Sequence, residues 1–354
     1  MNVLLLTDKL TTGGAEMYFC KLENNLPDGE VNVYAAAAPG ELYTHIKHKD
    51  RFTALKRSNP FYNFWQIRQL ILKERIDIIH ANSLRAVLML FLIRLTMIHS
   101  FLCIYTKHNV TILEKKAPFL MAFLLNHFVN KVITVSHFES ENLLRIGVYV
   151  DKLITIYNGV DLEQFKYQDK KKSKMFKVGI LARVSEEKNH ALFVEIANTL
   201  RDDSDIEFYV AGDGPELPVI RERIKDLQLE DKVKVIGNVK HPESFISEMD
   251  VLLLTSKREV FPMVVLEAMA VGTPMISIDR GGIKEAIIDS ETGILIADHS
   301  IEAFCSKIKE LKENKLLRLR VIERARDKVK KEFSLNQMVE LTYQEYQKQR
   351  KFFL

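Results

Sequence analysis

At 354 residues the chain is long enough for two domains with a core each, and its 47% hydrophobic, 28% charged composition is that of a globular protein. A net charge of only +4, with no basic groove interleaved by stacking aromatics, disfavours a nucleic-acid ligand. Three cysteines, Cys20, Cys103 and Cys305, are too few and wrongly spaced for a disulfide framework or a zinc site, and suit a reducing cytosol. Met1 runs straight into the apolar Val3 to Leu6 with no basic leader, so no signal peptide is expected and a cytoplasmic location is.

Short β-branched runs alternate with helix-length stretches along the whole chain. Strands are predicted at Val3 to Thr7, Val31 to Ala37, Ile76 to His80, Leu102 to Thr106 and Val132 to Val135. A second series follows at Lys177 to Ala182, Ile206 to Ala211, Val233 to Ile236, Val251 to Thr255, Met275 to Ile278 and Gly293 to Ile296. This alternation implies right-handed crossovers and an α/β protein of two doubly wound parallel sheets. The lysine-rich stretch from Tyr167 to Lys174 reads as the linker, giving a first domain over 1–166 and a second over 167–334.

Charge divides unevenly between the halves. Residues 1–160 hold 18 Lys and Arg against 13 Asp and Glu, a balance of +5, and the remainder 33 against 34, a balance of −1. From Arg94 to Lys131 the cations Arg94, Lys107, Lys115, Lys116 and Lys131 face Glu114 alone, interleaved with Phe101, Phe119, Leu120, Phe123, Leu124 and Phe128. Two readings stay open: a basic, apolar face for the anionic inner surface of a membrane, or a core helix with solvated lysines. Val87 to Leu102 falls short of the ~20 apolar residues a membrane span needs and reads as a buried helix followed by a strand.

In open parallel sheets ligands bind beyond the carboxyl ends of the strands, and the candidate site residues cluster there. Gly13 and Gly14 follow the first strand and precede a helical run, giving a loop whose backbone can approach phosphate closely. Arg183 ends one strand and Lys188 lies five residues on, a pair of cations able to neutralise a growing negative charge. The run Glu259, Val260, Phe261, Pro262, Met263, Val264, Val265, Leu266, Glu267 sets two carboxylates eight apart around a Phe-Pro step that opens a helix, with Pro262 expected at its first position. Free amides at that helix end attract phosphate or sugar oxygens, and the two carboxylates offer hydroxyl acceptors for a sugar and a ribose. His108 and His80 both follow strands, and His80, Asn82 and Ser136 are candidate linings on the acceptor side. Asp203, Ser204, Asp205 spell a metal-binding pattern but precede their strand, at the wrong end of the sheet.

The Glu259 to Glu267 run, continued by Ala268, Met269, Ala270, Val271, Gly272, Thr273, Pro274 and Gly281, Gly282, resembles the signature of retaining glycosyltransferases of family 4. Gly13 to Glu16, Asn158 to Asp161, Arg183 with Lys188, and Ala211 to Glu216 appear in the same order as in that family. The resemblance implies the GT-B fold, two Rossmann-like domains facing a cleft, the first binding acceptor and the second a nucleotide sugar. It also implies a final helix, about 335–354, that packs back on the first domain.

By the same resemblance Glu267 would accept from the ribose hydroxyls, Glu259 would contact the transferred sugar, and His108 would lie beside it. Arg183, Lys188 and the Gly13 loop would hold the diphosphate. Phe261, Pro262, Met263 and Val264 would adjoin the donor, and Gly237, Asn238 and Val239 would pack on its base, uracil by preference. Transfer to a glycan or lipid-linked saccharide in cell-surface polysaccharide or lipopolysaccharide synthesis follows, with front-face attack, no metal and no cofactor beyond the nucleoside diphosphate sugar. The family has Gly where Val260 stands, and a positive φ there would be costly for a β-branched side chain. A sugar-nucleotide epimerase of the same fold and a catalytically silent nucleotide-binding partner are the alternative readings.

Overall fold

In the computed structural model, which describes residues 1–97, 100–167 and 173–353, the chain forms two compact units, one of residues 1–159 with 335–354 and the other of residues 160–334. The sequence-read linker overlaps residues 168–172, which lie outside the described residues. The contacts divide the chain earlier, after Gly159, because Val160 already pairs with Ser334 and its amide donates to Phe333 O at 2.9 Å.

The first unit runs β1 (Asn2–Lys9), α1 (Gly14–Asn25), β2 (Asn32–Ala38), β3 (Phe52–Ala54), α2 (Pro60–Lys73), β4 (Ile78–Ala81), α3 (Leu84–Arg94), β5 (Leu102–Lys107), α4 (Ile112–Lys116), α5 (Pro118–His127), β6 (Lys131–Thr134), α6 (His137–Arg145) and β7 (Leu153–Thr155). Among the described residues its seven strands are all parallel, in the order β3-β2-β1-β4-β5-β6-β7. Helices cover both faces, so β5 is buried along its whole length and its sequence shows an apolar run instead of alternation. The edge strands β3 and β7, three residues each and only half-buried, carry too little apolar signal to be found by pattern.

The second unit runs β8 (Phe176–Leu181), α7 (His190–Thr199), β9 (Ile206–Ala211), α8 (Leu217–Asp226), β10 (Val233–Gly237), α9 (Pro242–Glu248), β11 (Val251–Leu254), α10 (Met263–Val271), β12 (Met275–Ile278), α11 (Ile283–Ala286), β13 (Ile294–Ile296), α12 (Ile301–Glu313) and α13 (Lys315–Glu332). Its described strands are again parallel, in the order β10-β9-β8-β11-β12-β13. A last helix, α14 (Leu335–Phe353), belongs to the first unit, where Met338, Val339, Tyr343 and Tyr346 join Tyr18 and Phe19 of α1 in one core. Both sheets therefore reverse strand order once, between β1 and β4 and between β8 and β11, and these are the points where such sheets open a crevice for ligand. No helix among the described residues is long and apolar enough to cross a membrane.

One expectation changes. The segment read as a buried helix is α3, which buries Leu84, Ala86, Val87, Leu90 and Ile93 but leaves Leu88, Phe91 and Leu92 exposed.

Candidate functional site

In the second unit the loop after β8 is zipped to the loop after β9. Ala182 N donates to Ala211 O, Val184 N to Asp213 O, and Glu216 N back to Val184 O, all within 3.1 Å. A Cβ on Gly212 would stand 1.9 Å from Ala182 O and one on Gly214 2.2 Å from Val184 O, so only glycines permit this approach. The zipper fixes the backbone on both sides of Arg183, whose side chain is exposed and makes no ion pair among the described residues.

Lys188 is fixed from the neighbouring strand. The buried Thr255 hydroxyl, just past β11, is within 3.0 Å of Lys188 O and 3.1 Å of Asn189 O. Asn189 takes the left-handed conformation, φ 53°, that starts α7. From this anchored turn Lys188 Nζ reaches Glu259 Oε1 at 2.7 Å, its side chain 27% exposed and the carboxylate side chain 7%. The two residues thus join the strands that flank the order reversal, β8 and β11.

Glu259 is itself clamped. Gly281 has φ 64°, a Cβ there would meet Glu259 O at 1.8 Å, and Gly282 N donates to Val260 O at 2.9 Å. Val260 does not occupy the left-handed region, so the strain expected of a β-branched residue there is absent, and the side chain is buried. Phe261 is buried too, its ring 5.5 Å from that of Phe333. Pro262 is the N-cap of α10 and Met263 the first helical residue, one position later than expected. Met263 and Val264 then carry the first amides of the helix, and Glu267 is half-buried in its second turn. Gly237 ends β10 with φ 77° and its carbonyl accepts from Gly212 N at 2.7 Å, leaving Asn238 exposed and Val239 half-buried beyond it.

Two further residues here carry unpartnered polar atoms, and sequence alone assigns neither of them a role. His190 is buried with neither ring nitrogen partnered, and burial, aided by the Lys188 charge, pushes its pKa down to about 4. Ser256, three residues before Glu259, is buried with its hydroxyl unpartnered. Buried polar atoms are rarely left so, and each marks a place where a polar ligand atom or water would be welcome. Asp203 and Asp205, by contrast, are taken up by Lys312 at 3.2 and 2.6 Å.

In the first unit the corresponding reversal carries a neutral network. Gly13 caps α1 in extended conformation, with Gly14 the first helical residue. Asn82, directly after β4, donates its amide to Ala15 O at 2.7 Å and accepts from His108 Nε2 at 3.0 Å. That donation to a carbonyl orients the Asn82 amide, and so assigns the His108 proton to Nε2 and a free lone pair to Nδ1. The ring is half-buried, 4.7 Å from Tyr18, and burial depresses its pKa to about 3, so it is neutral at physiological pH.

The other first-unit candidates support this arrangement from behind. His80 is fully buried inside β4, with Nε2 2.6 Å from Thr106 Oγ1 and Nδ1 against Tyr346 OH, and its pKa is likewise pushed to about 3. It therefore lies in the packing rather than on an acceptor surface. Ser136, also buried, caps α6 by accepting from Glu139 N at 3.2 Å. Lys107, read from sequence as part of a basic face, is wholly buried, its Nζ 3.0 Å from Glu114 Oε2 and also paired with Glu139. Lys131 is buried too, bonded to Asp151 O at 2.8 Å, and Arg94 donates to Phe101 O. Of the five cations, Lys115 and Lys116 are the exposed ones.

Comparison with known proteins bears on the whole chain. The model described as Glycosyltransferase Family 4 matches residues 12–164, and that described as Glycosyl transferases group 1 matches residues 161–328. N-acetyl-alpha-D-glucosaminyl L-malate synthase of Bacillus anthracis is 33% identical over 38% of this chain and 35% of its own length. The GPI3 subunit of phosphatidylinositol N-acetylglucosaminyltransferase from Saccharomyces cerevisiae is 27% identical over 66% of this chain and 54% of its own. The matched region thus spans between about a third and about half of these curated relatives. The crystal structure of Anabaena Alr3699/HepE in complex with UDP-glucose superposes with a TM-score of 0.85 at 19% identity, covering 98% of this chain and all of that one. With two family models meeting end to end across residues 12–328 and two parallel, doubly wound units beneath them, the chain belongs to the family 4, group 1 glycosyltransferases and has the GT-B fold.

Proposed function

We propose that the protein transfers a sugar, with retention of anomeric configuration, from a UDP-sugar to a hydroxyl of a glycan or lipid-linked saccharide. The observation that carries this reading is the Lys188–Glu259 pair at the order reversal of the second sheet, beside an unpaired Arg183. A diphosphate arriving there meets two cations on a fixed backbone, which stabilise the charge that grows as the sugar departs, the work a divalent metal does in other sites. Glu259 then accepts from the sugar's hydroxyls, and Glu267, by family resemblance, from the ribose. The leaving diphosphate takes the acceptor's proton in a front-face attack. His108, neutral and with Nδ1 free, is suited to accept a hydrogen bond from a hydroxyl.

One relative is named as an N-acetylglucosaminyltransferase subunit, another as an N-acetyl-alpha-D-glucosaminyl L-malate synthase, and the solved structure holds UDP-glucose, which makes the corresponding UDP-sugars the first donors to try. Val260, the reason for considering a silent nucleotide-binding partner, carries no backbone strain that would argue for one. The exposed Ile112, Phe119, Leu120 and Phe123 beside Lys115 and Lys116 support a peripheral contact with an anionic membrane. The test is nucleotide release from UDP-N-acetylglucosamine, UDP-glucose and GDP-sugars, with EDTA, in the presence and absence of a membrane extract. Release from one UDP-sugar that needs the extract and survives EDTA is expected, and UDP binding without any turnover on an extract shown to be competent would sink the proposal.

A further inference from the structure

A cavity of about 300 Å³ opens in the first unit beside the end of β1. Lys56, Arg57, Arg85, Asp8, Asn63 and Met89 are among its lining residues. The lining thus holds three basic residues and one acidic one. Lys56 Nζ lies 4.2 Å over the Tyr62 ring, Arg57 donates to Pro39 O at 3.4 Å, and Asp8 is tied at 2.8 Å to the hydroxyl of Ser83, the N-cap of α3. The cation-bearing loop is built rather than loose. Buried Asn63 bonds both Lys56 N and Lys56 O at 2.8 Å, and Asn59 caps α2 just beyond.

α2 and α3 both follow parallel strands, so both begin at this edge of the sheet and run away from it together. Arg68 of α2 donates to Thr96 O past the end of α3 at 3.4 Å, which holds the pair side by side. Down α3 from Arg85, Leu88, Leu92 and Leu95 recur at helical spacing and are all exposed, Leu95 by 70%. Down α2, Phe61, Trp65 and Leu72 repeat the pattern, Phe61 exposed by 73%. A cationic cavity thus leads into two neighbouring apolar stripes, and the complementary ligand is an anion with a long apolar tail.

We infer that this cavity and its stripes bind the acceptor, a phosphate-bearing amphiphile whose phosphate meets Lys56, Arg57 and Arg85 and whose tail lies along α2 and α3. The inference rests on the transferase reading and narrows its acceptor to a lipid-linked phosphate. Trp65 is the chain's sole tryptophan, so its fluorescence reports on this face alone. Titration with farnesyl phosphate below its micelle-forming concentration is expected to blue-shift and saturate that emission. Farnesol should bind roughly tenfold or more weakly, and the double variant Lys56→Gln, Arg85→Gln should lose affinity for farnesyl phosphate by a similar factor. UDP binding of the variant, followed by calorimetry, should not move.

Three results would overturn the inference: no response of Trp65 to farnesyl phosphate, equal affinity for farnesol, or inorganic phosphate competing at the same concentration. The first leaves the face without an amphiphile, the second removes the phosphate, and the third makes the ligand free phosphate. UDP binding and donor turnover are read separately, so loss of the amphiphile site and loss of the transferase reading are distinguishable.

Discussion

The two units each hold a lysine paired with glutamate at the carboxyl edge of a sheet, and the pairs do opposite work. Lys107 is completely buried between Glu114 and Glu139, and one oxygen of Glu139 has no partner at all. Lys107 and Glu139 are closed to solvent and Glu114 nearly so, and the cluster locks α4 and α6 to the end of β5. Lys188 is partly exposed and Glu259 buried at its side, the two held by Thr255 and Gly281 through their backbones while their side chains meet each other at 2.7 Å. An ion pair whose backbone is fixed and whose lysine stays partly open to solvent can exchange that lysine's partner for a ligand's phosphate without loosening the fold. Burial of the lysine, more than distance, separates the two pairs.

The contrast can be broken most severely at Lys107. Lys107→Met leaves two buried carboxylates uncompensated and should cost about 3–5 kcal/mol of stability, seen in urea unfolding of the whole chain. A loss within experimental scatter would mean the cluster admits water and is no lock. Lys188→Ala should behave the other way round. Its unfolding midpoint should fall by less than that of Lys107→Met, because Lys188 is itself partly exposed, while kcat for nucleotide release falls by about 10²–10³ and UDP affinity falls far less. An equal loss in affinity and rate would make Lys188 a binding residue only.

Acidification sharpens the comparison with a smaller effect. His80 and His108 in the first unit, both near 3, and His190 in the second, near 4, are held neutral by burial. Because their folded values are depressed, the unfolded chain takes up protons first, and stability is complete above about pH 6.5 and falls as pH drops toward the folded values. Each histidine contributes a slope of at most about 1.4 kcal/mol per pH unit in that window. The carboxylates with lowered values, such as Glu74 and Glu207, lose their contribution only as pH falls below their ordinary value of 4.5, beneath both of the pH values compared. Urea midpoints measured at pH 7 and pH 5 should therefore differ, with first-unit probes responding more. Coincident midpoints would show that the rings gain solvent in solution.

What the sequence disclosed, and what it hid, follows the same line between local and distant partners. The second-unit site was legible because its determinants are short-range in the chain or tied to special backbone: Glu259 and Glu267 share one helix start, and the glycines at 212, 214 and 281 mark close approaches that no other residue tolerates. Lys107 was misplaced on the surface because its partner Glu139 lies 32 residues away and nothing local announces burial. His80 was a candidate for the acceptor side because Tyr346, which occupies its Nδ1, comes 266 residues later. The cationic cavity was invisible for a related reason, since Asp8, Lys56 and Arg85 converge from three separate crossovers.

Tyr346 also sets an order of events during synthesis. The first unit emerges from the ribosome early but lacks α14, so His80 and the core of α1 wait for a helix made after the entire second unit. Residues 160–334 enter and leave through the paired Val160 and Ser334, and can close on themselves as soon as they are complete. The half that is translated first is finished last, and a ribosome halted before residue 335 would release a folded second unit attached to a first unit with its aromatic core still open.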